Sequence, residues 1–358
     1  MPSQLEFSIN GRFLTQPLTG VQRCARTLLK YFVQKVPAVK LITPPNISDY
    51  SDKTIHQIQY GPFTGHVWEQ VTLPYNCSGP LLNLCNTAPL MKKNQVVCLH
   101  DANIYEYPDS YKPHYRALHF VIQKSFVVNK LKITTVSNFS ARKLSEHLGI
   151  KLGNIDVIYN GYEHALLWDS NLASTSTQSI VSSYAHNGRK YILAVGSSAP
   201  HKNISVLLRL IDKLDNINID LVVIGKNLDI FSKGSSNKYK NLFYMSGLGD
   251  NDLSLMMKNA LCLVFPSITE GFGLPIIEAM YSKCPVISSN TASMPEVCGS
   301  AALLASPFDP EDWLNHIKSL DNSSNLVSEL RESGLIQAKK FSWSDASAAY
   351  TDLMDGLS

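Results

Sequence analysis

A chain of 358 residues with 44% apolar and 17% charged side chains has the composition of a folded globular protein, which excludes disordered and collagen-like classes, and its length calls for two domains of roughly 150–200 residues each. The net charge of +3 is small, but residues 1–165 hold 17 Lys/Arg against 10 Asp/Glu, while the remainder hold 15 against 19. A basic first half suits an anionic partner, such as a phospholipid surface, a lipid-linked phosphate or nucleic acid, as readily as it reflects scatter in surface charge.

Short apolar strands alternate with amphipathic helices twice over. In the first half, strands are predicted at Leu5–Ile9, Leu81–Leu84, Val96–Leu99 and Ile133–Val136. Helices are predicted at Val21–Val36, His114–Asn129 and Ser140–His147, the last with Asn138 as N-cap. Residues 163–189 break the rhythm. The run around Ser170 is polar and aperiodic, and a loop beside the domain boundary is expected there. The alternation then restarts with a strand at Tyr191–Val195, a helix at Ser205–Leu214 and a strand at Ile219–Ile224. A helix at Leu253–Asn259, a strand at Leu261–Phe265, a helix at Gly273–Tyr281 and a strand at Pro285–Ser288 follow, and helices finish the chain from about Pro310. Two such blocks imply an α/β protein with two doubly wound parallel sheets, whose ligands sit outside the carboxyl ends of the strands.

The most informative segment is Glu270-Gly-Phe-Gly-Leu-Pro-Ile-Ile-Glu278. It follows a strand and opens a helix. Gly271 and Gly273 allow close backbone approach, Pro275 suits a first helical turn, and the helix N-terminus favours an anion. An anion site flanked by Glu270 and Glu278 makes sense for a ligand with a central diphosphate and polyhydroxylated ends. Gly196-Ser-Ser-Ala-Pro-His-Lys-Asn203 also follows a buried strand. Lys202 is expected on the surface at that strand's carboxyl end, with Lys226 in the same place after the next strand. Two lysines at two strand ends favour one anion between them.

The pairing of Pro-His-Lys-Asn with Glu270-Gly-Phe-Gly-Leu-Pro-Ile-Ile-Glu-Ala-Met280 resembles glycosyltransferase family 4. Weaker matches along nearly the whole chain agree, including Asn10-Gly-Arg-Phe, Leu18-Thr-Gly-Val, Val97-Cys-Leu-His-Asp101, Val157-Ile-Tyr-Asn-Gly161, Ser293-Met-Pro-Glu and Phe341-Ser-Trp343. The resemblance implies a GT-B fold, two Rossmann-like domains facing across a cleft, and retention of anomeric configuration. It places Lys202, and by analogy Lys226, on the donor phosphates, Glu270 on the transferred sugar and Glu278 on the nucleotide ribose. His100 approaches the sugar from the other domain, and Gly20 lines a loop near the phosphates. Ser197, Gly271, Phe272, Gly273 and Leu274 complete the donor contacts. Ser197 stands where many relatives have arginine.

Other signals are better explained structurally. Asp250-Asn-Asp252 fits a metal-binding Asp-x-Asp pattern, but before an apolar helix Asp250 reads as an N-cap and Asp252 as a favourable first-turn charge. Asp309 reads the same way. No metal site and no cofactor are expected. His100 taken alone reads as a satisfied structural histidine. The basic, partly apolar stretch 112–132 resembles a lipid-surface helix, though an ordinary Rossmann-type helix gives the same pattern. Seven scattered Cys without a Cys-x-x-Cys pair speak against disulfides and zinc and for a reducing compartment. The first residues do not form a signal peptide, and no apolar run is long enough to span a bilayer.

The reading is therefore a retaining, metal-independent glycosyltransferase. Residues 1–165 form an acceptor domain, 166–340 a donor domain, and 341–358 a helix crossing back to the first. The donor is a nucleotide-diphosphate sugar, with GDP-mannose the first choice, and the acceptor a glycan or lipid-linked saccharide of a bacterial surface polysaccharide. A cytoplasmic location follows, with peripheral contact to the inner face of the plasma membrane, and no nucleic-acid partner. The rivals are a nucleotide-sugar 2-epimerase of the same architecture and a non-catalytic sugar-nucleotide-binding partner.

Overall fold

The computed structural model describes residues 6–36, 39–47, 55–225 and 239–357. They form two compact units, one of residues 1–161 with 342–358 and one of residues 162–341.

The first unit holds a parallel seven-stranded sheet in the order β3-β2-β1-β4-β5-β6-β7. Its strands are β1 Ser8–Asn10, β2 Lys40–Thr43, β3 His56–Gln59, β4 Leu81–Asn83, β5 Gln95–Cys98, β6 Lys132–Thr135 and β7 Ile155–Val157. Its long helices are α1 Gly20–Lys35, α2 Pro113–Val128 and α3 Asn138–Leu148. Residues 65–75 form a further helix with a π turn at its centre. The strand order reverses between β1 and β4.

The second unit holds a parallel six-stranded sheet in the order β10-β9-β8-β11-β12-β13. The strands are β8 Lys190–Val195, β9 Ile219–Ile224, β10 Leu242–Met245, β11 Cys262–Phe265, β12 Val286–Ser289 and β13 Leu303–Ala305. Helices α4 Thr175–Asn187, α5 Asp250–Asn259, α6 Leu274–Tyr281, α7 Pro310–Asn322 and α8 Ser324–Ala338 belong to it. The last helix, α9 Trp343–Asp355, belongs to the first unit. There Tyr350 meets Phe32 of α1 edge to face, and its hydroxyl lies 3.1 Å from Thr134 Oγ1.

Burial along the whole of β9 and β11, and of Tyr191–Ala194 in β8, explains their largely apolar sequences, since parallel strands are covered on both faces. Ile192, Leu221, Val264, Ile287 and Trp313 meet in one core. Each such side chain contributes on the order of 2 kcal/mol through burial.

Several expected local features differ. The cap of α3 is Ser137, whose Oγ accepts from the Ser140 amide, and Asn138 is already helical. The cap of α5 is Gly249, with Asp250 the first helical residue. Asp252 accepts from the Gly249 amide at 3.2 Å and from both the amide and hydroxyl of Ser174 at 2.7 Å. Asp309 does cap α7, accepting from the Glu311 amide. Residues 163–189 are largely helical rather than a loop, because Ser174 caps α4 and Asp252 and Asn251 of α5 bond the preceding turns. The expected helix at Ser205–Leu214 is two short ones, Ile204–Leu208 and Ile211–Asp215. Strands β2, β3, β7, β10 and β13 were not expected. Four of them, β3, β7, β10 and β13, are the edge strands of the two sheets and are only partly buried.

Candidate functional site

In the second unit the strand order reverses between β8 and β11. Two chain segments leaving neighbouring strands part company there, and the crevice outside their carboxyl ends is the natural ligand position of a doubly wound sheet. The β8 segment is Gly196–Lys202 and the β11 segment is Pro266–Gly273, the two stretches singled out from sequence.

After β8 the chain passes Ser197, whose Oγ accepts weakly from the Ala199 amide at 3.4 Å, into a single 3₁₀ turn, Pro200–Lys202. Asn203 then adopts a left-handed conformation with φ 53°. Its side-chain amide donates to the carbonyls of Pro266 and Pro307 at 3.2 and 2.7 Å. The His201 carbonyl accepts from the Ile268 amide at 2.8 Å. The two segments are thus tied to each other by backbone and side-chain bonds.

Lys202 is not the free surface lysine expected from sequence. It is partly buried, with Nζ 2.5 Å from Glu270 Oε1 and 5.9 Å from the Phe265 ring centroid. The same Glu270 oxygen accepts from Ser267 Oγ at 2.8 Å. The burial follows from the 3₁₀ turn, which folds the lysine stem back over Gly196. A Cβ on that glycine would stand 3.6 Å from Lys202 Cδ.

The chain from Pro266 to Gly273 is held from behind by hydroxyls at alternate positions from the last residue of β12 onward. Ser289 donates to the Ser267 carbonyl, Thr291 to Ile268, and Ser293 lies 2.9 Å from the Glu270 carbonyl and 3.1 Å from that of Phe272. A trans peptide directs its amide opposite its carbonyl, so these bonds turn the following amides away from the hydroxyl row. Gly273 caps α6 at φ 99° and ψ 53°, a conformation that glycine adopts without steric cost. Pro275 sits in the first turn of that helix. Phe272 is buried edge to face against Phe341, and Leu274 is buried as the first helical residue.

Glu278 is buried one turn into α6, and its Oε1 lies 2.8 Å from His164 Nε2. His164 is also buried, in a 3₁₀ turn over Glu163–Leu167, with Trp168 edge-on to its ring at 5.6 Å. Sequence reading missed His164. No motif marks it, and 114 residues separate it from its partner. Lys226 lies outside the described residues.

The structure therefore brings Ser197, Lys202, Glu270, Gly271, Phe272, Gly273, Leu274 and Glu278 into one unit around one strand reversal. Gly20 and His100 belong to the other unit. Gly20 is the exposed first residue of α1. His100 is buried, its Nε2–H donating to the Leu84 carbonyl at 2.8 Å while its amide donates to Asn86 Oδ1 at 2.7 Å.

The first unit has a reversal of its own, between β1 and β4, and it is filled by buried polar groups that sequence reading did not find. Glu69 accepts from Arg12 Nε at 3.0 Å, Asn10 Nδ2 at 2.9 Å and Thr87 Oγ1 at 2.9 Å, with His66 Nδ1 at 3.2 Å. Burial raises the Glu69 carboxyl, but the His66 bond, the Arg12 charge and the Asn10 amide outweigh it and hold the group below the usual carboxylate range. His66 meets His119 edge to face at 6.1 Å, and His119 packs on Tyr115 at 4.1 Å. Among the described residues, no group of three His, Cys, Asp or Glu side chains is placed to hold a metal ion. None of the described helices is long and apolar enough to cross a membrane.

Residues 177–337 match the family described as Glycosyl transferases group 1. An O-antigen chain mannosyltransferase B of Escherichia coli is 31% identical over 277 residues, which are 71% of this chain and 68% of that protein. The chain belongs to the glycosyl transferases group 1 family. It is a glycosyltransferase of the GT-B fold. Another relative, the O-antigen chain mannosyltransferase RfbU of Salmonella typhimurium, is 27% identical over 321 residues, covering 85% of this chain and 82% of its own. The solved sucrose-phosphate synthase of Thermosynechococcus elongatus superposes with a TM-score of 0.75 at 16% identity, covering 98% of both chains. That likeness carries the fold and nothing finer. The family match spans both segments at the β8–β11 reversal.

Proposed function

We propose that this glycosyltransferase moves a hexose, mannose from GDP-mannose in the first instance, to a hydroxyl of a glycan or lipid-linked saccharide during bacterial surface-polysaccharide assembly. The observation that carries the reading is the cluster at the β8–β11 reversal. It holds one lysine, two glutamates and a glycine loop opening a helix, within a chain whose similar relatives are O-antigen mannosyltransferases. Lys202, with Lys226, and the α6 N-terminus meet the diphosphate, Glu270 the transferred sugar and Glu278 the ribose. The acceptor is bound by the first unit, in which His100 is buried with its Nε2–H on the Leu84 carbonyl.

Departure of the diphosphate builds negative charge, and fixed positive groups aimed at that charge lower the barrier. The lysines and helix dipole supply them without a metal. The acceptor oxygen attacks the anomeric carbon as its bond to the donor phosphate breaks, and the acceptor proton passes to that phosphate oxygen. Attack on the departing face retains configuration. The uneven charge of the chain adds a peripheral contact of the basic first half with anionic lipid on the cytoplasmic face of the membrane.

The deciding experiment offers GDP-mannose, UDP-glucose and dTDP-hexoses with and without a crude lipid-linked saccharide fraction, in the presence of EDTA. Acceptor-dependent release of GDP and an α-linked mannosyl product are expected. Release of free or epimerised sugar without acceptor would establish the epimerase instead. Loss of activity in EDTA, restored by Mg²⁺ or Mn²⁺, would refute metal independence.

A further inference from the structure

We infer that His164 is a positioning residue for the donor nucleotide, orienting the Glu278 carboxylate so that it accepts both hydroxyls of a ribose diol. The inference rests on the proposed ribose role of Glu278 and assigns a task to a residue outside the motifs.

A buried carboxylate takes its orientation from protein donors, because water does not compete there. Glu278 has such a donor in His164, whose Nε2–H points to Oε1 at 2.8 Å. That bond fixes which imidazole nitrogen carries the proton. A carboxylate accepts in the plane of its two oxygens. One fixed bond therefore sets the plane in which neighbouring donors must lie. A vicinal diol presents two O–H donors side by side and matches a carboxylate held in one plane. A carboxylate free to turn about its terminal torsion, which is broad and roughly two-fold, matches it poorly.

The imidazole is itself held in register with α6. Tyr162, two residues earlier, packs its ring 5.0 Å from that of Tyr281. Glu278 and Tyr281 are three residues apart on the same helix face, so the 162–164 turn runs along that face and touches it twice. The Tyr162 amide donates to the Phe341 carbonyl at 3.1 Å, and Phe341 packs on Phe272 just before the helix. Trp168 covers the edge of the imidazole. The residue that aims Glu278 is thus fixed to the helix carrying Glu278 by contacts at positions 278 and 281, and through Phe341 to Phe272 ahead of that helix.

The test compares nucleotides with and without the diol. Calorimetry gives Kd for GDP, UDP and ADP, and for the 2′,3′-dideoxy counterpart of whichever binds tightest. Wild type is expected to lose about tenfold or more in affinity with the dideoxy form, the scale of hydrogen bonds to a charged group. His164→Ala and His164→Asn are expected to shrink that gap to within about threefold, because neither carries a donor to the Nε2 position. His164→Gln carries its amide there and is expected to restore the gap. A purely structural role would lower melting temperature without changing the ratio. A full gap in a folded Ala or Asn variant would overturn the inference. Should Ala fail to fold, the Asn and Gln pair decides it. Absence of any gap in wild type would refute the ribose role of Glu278, and the inference with it. A gap in wild type that Glu278→Gln abolishes but the histidine variants keep would refute the inference alone.

Discussion

The ammonium of Lys202 lies 2.5 Å from Oε1 of Glu270, so the side chains assigned to the phosphates and to the transferred sugar are paired with each other. Each neutralises the other, and Ser267 supplies the glutamate with a second donor. On the proposed roles, a donor that claims Lys202 through its diphosphate would leave Glu270 with Ser267 and turn the carboxylate toward sugar hydroxyls. The two roles are coupled by one bond.

Lys202→Ala is expected to cut turnover by roughly 10²–10³, the scale of losing one charge partner of the transition state. Because the lysine is partly buried and paired, the variant also strips Glu270 of its cation, and a modest fall in melting temperature is expected. The coupling is measured by a double-mutant cycle of Lys202→Ala and Glu270→Gln. A strongly non-additive loss in kcat/KM is expected. Additive effects would show that the pair seen here has no part in catalysis.

The two glutamates are expected to separate in kinetics. On the proposed assignment Glu278 meets the ribose, remote from the reacting carbon, so Glu278→Gln is expected mainly to raise donor KM. On the same assignment Glu270 meets the sugar whose geometry changes as the bond breaks, so Glu270→Gln is expected mainly to lower kcat. Steady-state kinetics of both variants with one donor provide the check. The same pattern in both, or the reverse pattern, would break the residue assignment while leaving the fold untouched.

The meeting of two segments at the β8–β11 reversal was legible because each depends on local sequence. Glycines, a proline and two glutamates at fixed spacing on a strand-to-helix junction announce the loop, and the apolar runs of β8 and β11 announce the strands beneath it. Lys202 was placed at the right strand end, but its pairing with Glu270 spans 68 residues and has no local signature. The same holds for His164 and for the Arg12–Glu69 network, which join distant segments through tertiary packing. The polar run after residue 163 was misjudged for a related reason. Its helix is stabilised by Ser174 and by bonds from Asp252 and Asn251 on a distant helix, not by an apolar stripe.

Gly273→Ala tests the loop that opens α6. The native φ of 99° is strained for any side chain, and an added Cβ would stand 3.0 Å from Ile276 Cδ1 and 3.6 Å from the Phe265 ring. A loss of about 1–3 kcal/mol is expected from the backbone strain alone. The loop can relieve that strain only by rotating its amides, so nucleotide affinity should fall together with stability. Calorimetric Kd and a thermal melt on the same variant read both. Unchanged affinity alongside lost stability would show that the loop amides do not contact the diphosphate.

The last prediction concerns acid stability of the first unit. His119 is buried between Tyr115 and His66, and burial, with the nearby His66 and Arg12 charges, lowers its pKa from 6.5 to about 4. The folded protein therefore keeps this imidazole neutral at a pH where the unfolded chain already binds a proton. The sign follows directly. The folded pKa lies below the unfolded one, so the full contribution is present above about 6.5 and is lost as pH falls toward 4, below which both states are protonated. A shift of this size corresponds to roughly 3 kcal/mol at the acid end. His119→Phe keeps a ring against Tyr115 and removes the titration. Melting curves of wild type and variant are expected to run parallel between pH 7 and 8 and to diverge below pH 6.5, with wild type falling a few degrees further by pH 5. Glu69, held below the usual carboxylate range by Arg12, Asn10 and His66, which both proteins keep, is ionised in both over this pH range. Parallel curves down to pH 5 would show that His119 takes up its proton in the folded state as readily as in the unfolded chain.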